Sequence, residues 1–321
     1  MKRAWPILAA VLVLALTGCG SNESGTTSGT TASGSQGKKP VIALVMKSLA
    51  NEFFQTMQKG AEAHQKAHSD QYELISNGIK DESDVSKQQE LVEQMISQGV
   101  SAIVIAPADS KALIPVCEKA VKTGIPVVNI DNKFDADVLK DRGLQIPFVG
   151  PDNRKGAKLV GDALAKKLKP GDAVAIIEGA PNAFNGIQRT LGFQDAMKAG
   201  GMKVVDSQTG NWDTEKANQV AAAMITSHPD LKALLCANDN MALGAIAALK
   251  AAGKQNSVIV VGFDNISAVH DLIQQGQVLA TADQHADQLA VYGIQYALDI
   301  LGKKSQPVDK ETQVDLIVKT P

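Results

Sequence analysis

The sequence predicts an α/β protein made of one lobe written twice. From residue 41 onward, short apolar runs rich in Val, Ile and Ala alternate with amphipathic stretches of helical period. Each run breaks off into Asn, Asp, Ser or Gln. The whole series then recurs after about 132 residues, so that 41 is matched by 173, 102 by 233, and Asp131-Asn132 by Asp264-Asn265. Apolar runs this short, bounded by polar turn residues, fit parallel strands covered on both faces. Strands alternating with helices build an open parallel sheet.

The first half begins with a strand over 41–46 and the polar loop Lys47-Ser48-Leu49-Ala50-Asn51-Glu52. A helix follows with Phe54, Met57, Ala61 and His64 on its inward face. After a strand over 72–75, Asp84 caps a helix carrying Leu91, Val92, Met95 and Ile96, and Gly99 ends it. The run 102–106 is a third strand, ending in Pro107-Ala108-Asp109-Ser110. A helix reaches about Lys122, with Gly124 closing it, and strands over 126–131 and 147–150 complete the half. The second half repeats the order: a strand over 173–177, a polar loop as far as Arg189, and a helix to Gly200-Gly201. Val204-Val205 leads to Thr209-Gly210-Asn211-Trp212-Asp213 and a helix with Val220, Met224 and Ile225. The run 233–237 gives way to Asn238-Asp239-Asn240, then to a helix with Met241, Leu243, Ile246 and Ala247 on one face, closed by Gly253. Asp239 or Asn240 is expected to cap that helix, leaving Asn238 for a ligand. Strands over 258–264 and 279–281 finish the series.

At 321 residues the chain is long enough for two domains. Lys2 and Arg3 precede an apolar run over 7–16 that closes in Leu16-Thr17-Gly18-Cys19, the pattern of a secretion signal over 1–18. The run is too short for a transmembrane helix, which needs roughly 20 apolar residues. Leu16-Thr17-Gly18-Cys19 resembles the bacterial lipobox, which implies lipidation of Cys19. The following stretch is almost wholly Gly, Ser, Thr, Ala, Asn and Gln and predicts a flexible tether over 19–39. The formal net charge is −2, and loss of Lys2 and Arg3 makes the remainder more acidic. With no basic patch, a nucleic-acid partner is not expected. Cys117, in a predicted helix, and Cys236, in a strand of the other half, read as buried thiols rather than a bridge.

The chemistry gathers at the strand ends. In open α/β sheets that is where ligands bind, and two equivalent sheets bind them between their facing ends. Asp131, Asn132, Arg189, Asn238, Asp264 and Gln284 are carboxylates, amides and a guanidinium, the set a polyhydroxylated ligand requires. Each hydroxyl both donates and accepts, so carboxylates take its protons while NH groups supply donors. Phe53, Phe54 and Trp212 lie in strand-to-helix loops, where an aromatic face can cover the C–H face of a sugar ring. Phe54 is expected to face the ligand and Phe53 to pack inward. Enzyme signatures are weak: there is no dinucleotide fingerprint, phosphate-binding loop or nucleophile elbow. His64 and His68 stand four apart without a third ligand, and a calcium loop at Asp131, Asp135 and Asp137 has Ala136 where glycine is needed. Asp131 and Asp264 as the acid and base of a glycosidase remain a distant alternative to ligand clamping. No enzyme activity, cofactor or metal is expected.

From about Lys38 to the end, the chain resembles the periplasmic sugar-binding proteins of ABC importers, in the ribose, allose and galactose group. The stretches that carry the likeness are Ser48-Leu-Ala-Asn-Glu-Phe-Phe54, Asn129-Ile-Asp131, Arg189-Thr-Leu-Gly-Phe193, Ala237-Asn-Asp-Asn-Met-Ala-Leu-Gly244, Val260-Val-Gly-Phe-Asp264 and Ala282-Asp-Gln284. The resemblance implies two Rossmann-like lobes of the periplasmic binding protein type I fold, joined by a three-segment hinge. The first lobe is expected to span 40–150 and 285–312, the second 151–284 and 313–321. It also implies that Asn51, Phe54, Asp131, Arg189, Trp212, Asn238, Asp264 and Gln284 line a sugar site. Ribose-type members carry Asp-Arg where this chain has Asp131-Asn132, and they lack a lysine at Lys47. Allose-type members have that lysine, so the chain looks nearer to them, with Lys47 reaching a sugar oxygen and Asn132 altering specificity. The implied function is a lipid-anchored, monomeric solute-binding protein outside the cytoplasmic membrane. It would deliver a monosaccharide to an ABC permease and its ATPase. The alternative is a receptor for a polyol, inositol or autoinducer that feeds a sensor or chemoreceptor.

Overall fold

The structure is a computed structural model that describes residues 38–320. The expected signal segment, Cys19 and most of the tether lie outside the described residues. The first half runs β1 (Val41–Met46), α1 (Glu52–Ala67), β2 (Glu73–Gly78), α2 (Val85–Gln98), β3 (Ala102–Ile105), α3 (Ile114–Lys122), β4 (Val127–Ile130), α4 (Ala136–Asp141) and β5 (Phe148–Pro151). The second runs α5 (Asn153–Ala165), β6 (Ala173–Glu178), α6 (Phe184–Gly200), β7 (Lys203–Thr209), α7 (Thr214–Ser227), β8 (Ala233–Cys236), α8 (Asp239–Ala251), β9 (Ile259–Val261), α9 (Ser267–Gln274) and β10 (Ala280–Asp283). The chain closes with α10 (Ala286–Leu301), β11 (Lys310–Thr312) and β12 (Asp315–Val318). Helices α4, α5, α9 and α10 are additional to the elements expected from the sequence.

Two sheets result. The first has the order β11-β5-β4-β3-β1-β2, all parallel. The second has the order β12-β10-β9-β8-β6-β7, parallel except for β12, which runs antiparallel to β10. The repeat in the sequence is therefore a repeat of topology. The chain passes between the sheets three times. After β5, helix α5 packs on β9, β10 and β12; after β10, helix α10 packs on β1, β3, β4 and β5. The turn after β11 then carries the chain into β12 of the other sheet.

Alternation in β1 shows why the sheet interior is apolar on both sides. Ile42, Leu44 and Met46 pack under α1 and α10, while Ala43 and Val45 face the opposite cluster with Leu91, Val92, Met95, Ile114 and Cys117. Burying each large aliphatic side chain contributes about 1.5–3 kcal/mol. Cys117 and Cys236 are free and buried. Strand β2 extends beyond the expected 72–75 through Ser76, Asn77 and Gly78, because an edge strand keeps its ladder with β1 while tolerating polar side chains. Helix α6 begins at Phe184, so Arg189 lies inside a helix and not at the end of a loop. Gly186, which lowers helix propensity there, is the residue that fits: a Cβ would meet the Ala180 carbonyl oxygen and the Trp212 ring, both at 3.0 Å.

A second glycine fixes how α10 joins the first sheet. In α1, a Cβ on Gly60 would lie 2.0 Å from the Asp287 carbonyl oxygen of α10. Alanine is the better helix former by about 1 kcal/mol, yet here the backbone approach decides the sign. We expect Gly60→Ala to destabilise the protein by about 2 kcal/mol, seen as a lower denaturant midpoint. A midpoint equal to or above that of the parent would show that the two helices part freely.

Candidate functional site

The carboxyl ends of the two sheets face one another, and the side chains gathered there are charged and buried. Lys47 follows β1, Glu82 follows β2, and Asp131 follows β4. Arg189 rises from the second turn of α6, Trp212 follows β7, Asn238 follows β8, and Asp264 follows β9. Lys47, Asp131 and Arg189 are each only 2% exposed. The Lys47 Nζ lies 3.0 Å from Asp131 Oδ2 and 3.3 Å from Glu82 Oε2. It also sits 5.4 Å from the Phe54 ring centre and 5.6 Å from that of Trp212. Across the cleft, Arg189 donates from Nε to Asn153 Oδ1 at 2.8 Å and from Nη1 to the Ala237 carbonyl at 2.9 Å. The same Nη1 reaches Asp264 Oδ1 at 3.4 Å. Its guanidinium stacks on Phe263 at 3.7 Å. Gln284 donates to Asp264 Oδ1 at 2.8 Å.

Each lobe thus presents an aspartate just past a strand, held by a cation. Both aspartates have positive φ, 61° for Asp131 and 120° for Asp264, and Asn265 follows at 54°. Backbone held there costs on the order of 1–3 kcal/mol and persists only where the surroundings impose it. For Asp264 the surroundings include Asp239, whose buried carboxylate accepts the Ile266 N–H at 3.0 Å and the Thr281 hydroxyl at 2.8 Å. Asp239 also donates its own N–H to the Phe263 carbonyl at 2.8 Å. It therefore clamps the loop that carries Asp264. The cap of α8 is Asn238, not Asp239 or Asn240 as expected: its Oδ1 accepts the Met241 N–H at 2.9 Å. That leaves the Asn238 NH2 group as the donor at the cavity wall. Asn51 is used in the same way, capping α1 through the Phe53 N–H.

Burial dominates the electrostatics. For Lys47 burial alone would disfavour the ammonium ion, but Asp131 and Glu82 outweigh it and hold the pKa above its ordinary value. Burial raises Glu82 against the pull of Lys47. Burial likewise pushes Asp264 well above the usual carboxylate range against the pull of Arg189. Two buried polar atoms of this wall, Trp212 Nε1 and Gln284 Oε1, have neither a hydrogen-bond nor an ion-pair partner among the described residues. A buried polar group without a partner costs about 1–3 kcal/mol, so such atoms mark a surface built to meet something else. The cavity among these groups is only about 10 Å³, room for about one water molecule. The lobes are closed. A groove of about 860 Å³ shares Asn51, Glu82 and Trp212 with the cavity.

The sequence profile of the periplasmic binding protein domain family matches residues 42–305. This chain belongs to that family. A D-ribose/D-allose-binding protein of Pseudomonas aeruginosa is 60% identical over 284 residues, covering 87% of this chain and 89% of the relative. Among solved structures, an ABC transporter solute-binding protein from Burkholderia multivorans, holding an unknown ligand represented as α-D-erythrofuranose, superposes with a TM-score of 0.86. The identity is 60%, over 88% of this chain and 100% of that one. An ABC transporter periplasmic solute-binding protein from Actinobacillus succinogenes with bound D-allose gives a TM-score of 0.83 at 36% identity, over 88% of this chain and 98% of that one. The periplasmic binding protein fold of two mainly parallel α/β sheets is the one expected, and these relatives are sugar-binding transport proteins rather than enzymes. No helix among the described residues is long and apolar enough to cross a membrane.

Of the residues singled out from the sequence, the cavity brings together Lys47, Asn51, Phe53, Phe54, Asp131, Arg189, Trp212, Asn238, Asp264 and Gln284. Phe53, expected to pack inward, lies on the wall with Phe54, their rings edge to face at 5.1 Å. Asn132 is the exception. It is fully buried beside the cavity and not part of its lining, because its NH2 donates to the Pro107 carbonyl at 2.8 Å and its Oδ1 accepts from Ser110 and Asn185. Two lining residues escaped the sequence reading, Glu82 and Asn185. Glu82 stands four residues beyond β2, a polar edge strand whose end no apolar run marks. Asn185 lay in a stretch read as loop. His64 and His68 stack at 4.1 Å on α1, where His64 pairs with the Tyr72 hydroxyl. Asp135 caps α4.

The loop clamp has a pH signature. Burial raises the Asp239 pKa to about 7 in the fold, against about 3.9 in an unfolded chain. The folded state therefore binds more protons, and this group's contribution turns unfavourable as pH rises from about 4 through about 7. Asp239→Asn removes that titration. Its stability relative to the parent should improve by on the order of 4 kcal/mol across that window, read as denaturant midpoints at several pH values. A difference independent of pH would contradict the assignment.

Proposed function

We propose that this protein is the substrate-binding component of a sugar ABC importer, taking a monosaccharide of the D-allose or D-ribose kind between its two lobes. The carrying observation is the closed cavity at the facing sheet ends, with Lys47, Asp131 and Glu82 on one wall and Arg189, Asp264 and Gln284 on the other, between Phe54 and Trp212. Those groups suit a ring of hydroxyls. Carboxylates accept hydroxyl protons, while Lys47, Arg189 and the amides of Asn51, Asn238 and Gln284 donate to hydroxyl and ring oxygens. The aromatic faces cover the ring's C–H surface. Because the cavity has room for about one water molecule, a sugar is taken only if the lobes part and then close around it, further apart than they stand here.

In this reading the first lobe comprises 40–150 and 285–312 and the second 151–284 and 313–321, and the crossings between them act as the hinge. The protein is anchored outside the cytoplasmic membrane by lipid on Cys19, with 19–39 as tether, and hands its sugar to a membrane permease and ATPase. The identity and bound sugars of the relatives support this reading, as does the mild net negative charge. No bond is made or broken.

Removing one partner of the buried Arg189–Asp264 pair tests the site. Asp264→Ala and Arg189→Ala should fold, by circular dichroism, and weaken D-allose or D-ribose binding by 2 kcal/mol or more, about thirtyfold, in calorimetric titration. Unchanged affinity in both variants would remove these residues from the ligand. The fluorescence of Trp212 should also change on sugar addition, and a flat titration with a sugar that binds would place its ring away from the ligand.

A further inference from the structure

Five helices that begin near the cleft carry their own cap: Asn51 on α1, Asp84 on α2, Asp152 on α5, Asp213 on α7 and Asn238 on α8. Helices α3, α9 and α10 have no side-chain cap, and neither does α6. The residue at its cap position is Ala183, with no side-chain acceptor. Its first N–H groups are satisfied from the opposite sheet instead. The Phe184 N–H donates to Ser110 Oγ at 2.9 Å, and the Asn185 N–H donates to Asn132 Oδ1 at 3.2 Å. The third donor, Gly186 N–H, uses Asn185 Oδ1 at 2.9 Å. Ser110 and Asn132 both follow strands of the first sheet, whereas α6 packs on β6 and β7 of the second.

The capping groups are also held by bonds within their own half of the chain. Asn132 is held by its bond to the Pro107 carbonyl, by Asn129 donating to its own carbonyl at 2.8 Å, and by Ser110 Oγ at 3.3 Å. Alongside them, the Ser110 N–H donates to the Asn182 carbonyl at 3.0 Å and Asn182 Nδ2 donates to Asp109 Oδ2 at 2.8 Å. The helix they cap carries Arg189 and Asn185 into the cavity.

We propose that Ser110 and Asn132 form a closure latch, a helix cap split between the lobes that exists only when the lobes are shut. In the open form the N–H groups of Phe184 and Asn185 face water. On closure they gain a fixed acceptor each, a contribution that does not depend on which sugar is held. The latch rests on the reading of two lobes closing on a ligand. It assigns Asn132 to the open–closed balance rather than to sugar specificity. Loss of both caps should therefore weaken every ligand by one common factor, about tenfold for two capping bonds. The effect should appear in the dissociation rate.

The test compares the parent chain with the Ser110→Ala, Asn132→Ala double variant, each carrying spin labels at the exposed positions Ser83→Cys and Lys216→Cys on opposite lobes. Paramagnetic relaxation between the labels, which detects a minor short-distance population, is recorded without ligand. Calorimetry then gives the affinities for D-ribose and D-allose. The expected result is less short-distance population in the double variant and an equal loss of affinity for both sugars, with the Ser110→Thr variant, which keeps the hydroxyl, close to the parent. An unchanged population, or a changed ratio of the two affinities, would overturn the latch. If neither sugar binds the parent while the population still shifts, the latch stands and the sugar reading fails. Melting curves of the single Ser110→Ala variant separate a loss of closure from a loss of fold.

Discussion

Buried charge is the constraint on which this protein depends. Two cations and three carboxylates lie within one enclosed site. Taking one partner from such a pair costs about 3–5 kcal/mol, whereas an apolar replacement of the whole set is often neutral or better. Charges kept under those terms serve something other than stability. The upward shifts of Glu82 and Asp264 point the same way from the proton's side: burial disfavours the charge of each carboxylate more than Lys47 and Arg189 restore it. Hydroxyl groups are the donors that would relieve both without bringing in another charge. The orphaned Trp212 Nε1 and Gln284 Oε1 add one donor and one acceptor to the same demand.

The duplicated fold explains why the demand is met between two lobes. A parallel sheet sends every strand the same way, so its loops and helix starts gather at one edge. Two such sheets facing edge to edge supply acids and bases from both sides. The strained aspartates Asp131 and Asp264 are the clearest mark of the duplication, since each sits at positive φ within three residues of the end of a strand. Asp239 shows how the strain is sustained, tying the loop after β9 to Thr281 and Ile266. Closure is then a matter of what the two edges offer each other: ligand contacts in the centre, and at the rim the split cap of α6 and the bond from Ser267 N–H to Glu52 at 2.9 Å.

Much of this was legible in the residues. Apolar runs of four to six residues ending in Asn or Asp announced parallel strands with ligand groups at their ends, and the constant offset between halves announced two lobes. Harder to read were residues whose role is set by a partner far away in sequence. Asn132 looked like a ligand residue by its place beside Asp131, but its amide is committed to Pro107, Ser110 and Asn185, which only the folded chain brings near. The start of α6 was misread for a related reason: Asn182-Ala183-Phe184-Asn185-Gly186 has loop composition, and the caps that make it a helix come from the other sheet. Glu82 was passed over because β2 is a polar edge strand whose end is not marked by an apolar run.

The central claim is that the buried charges are arranged for a monosaccharide, and mass action tests it most directly. A ligand that binds only the folded state adds about 2.7 kcal/mol of stability at a hundredfold excess over its dissociation constant. Thermal melting of the protein against a panel of pentoses, hexoses, inositols and small polyols should therefore give a large upward shift with one or two sugars, D-allose or D-ribose among them. Melting temperatures unmoved by every member of the panel would contradict the account and show that these charges await a different kind of ligand.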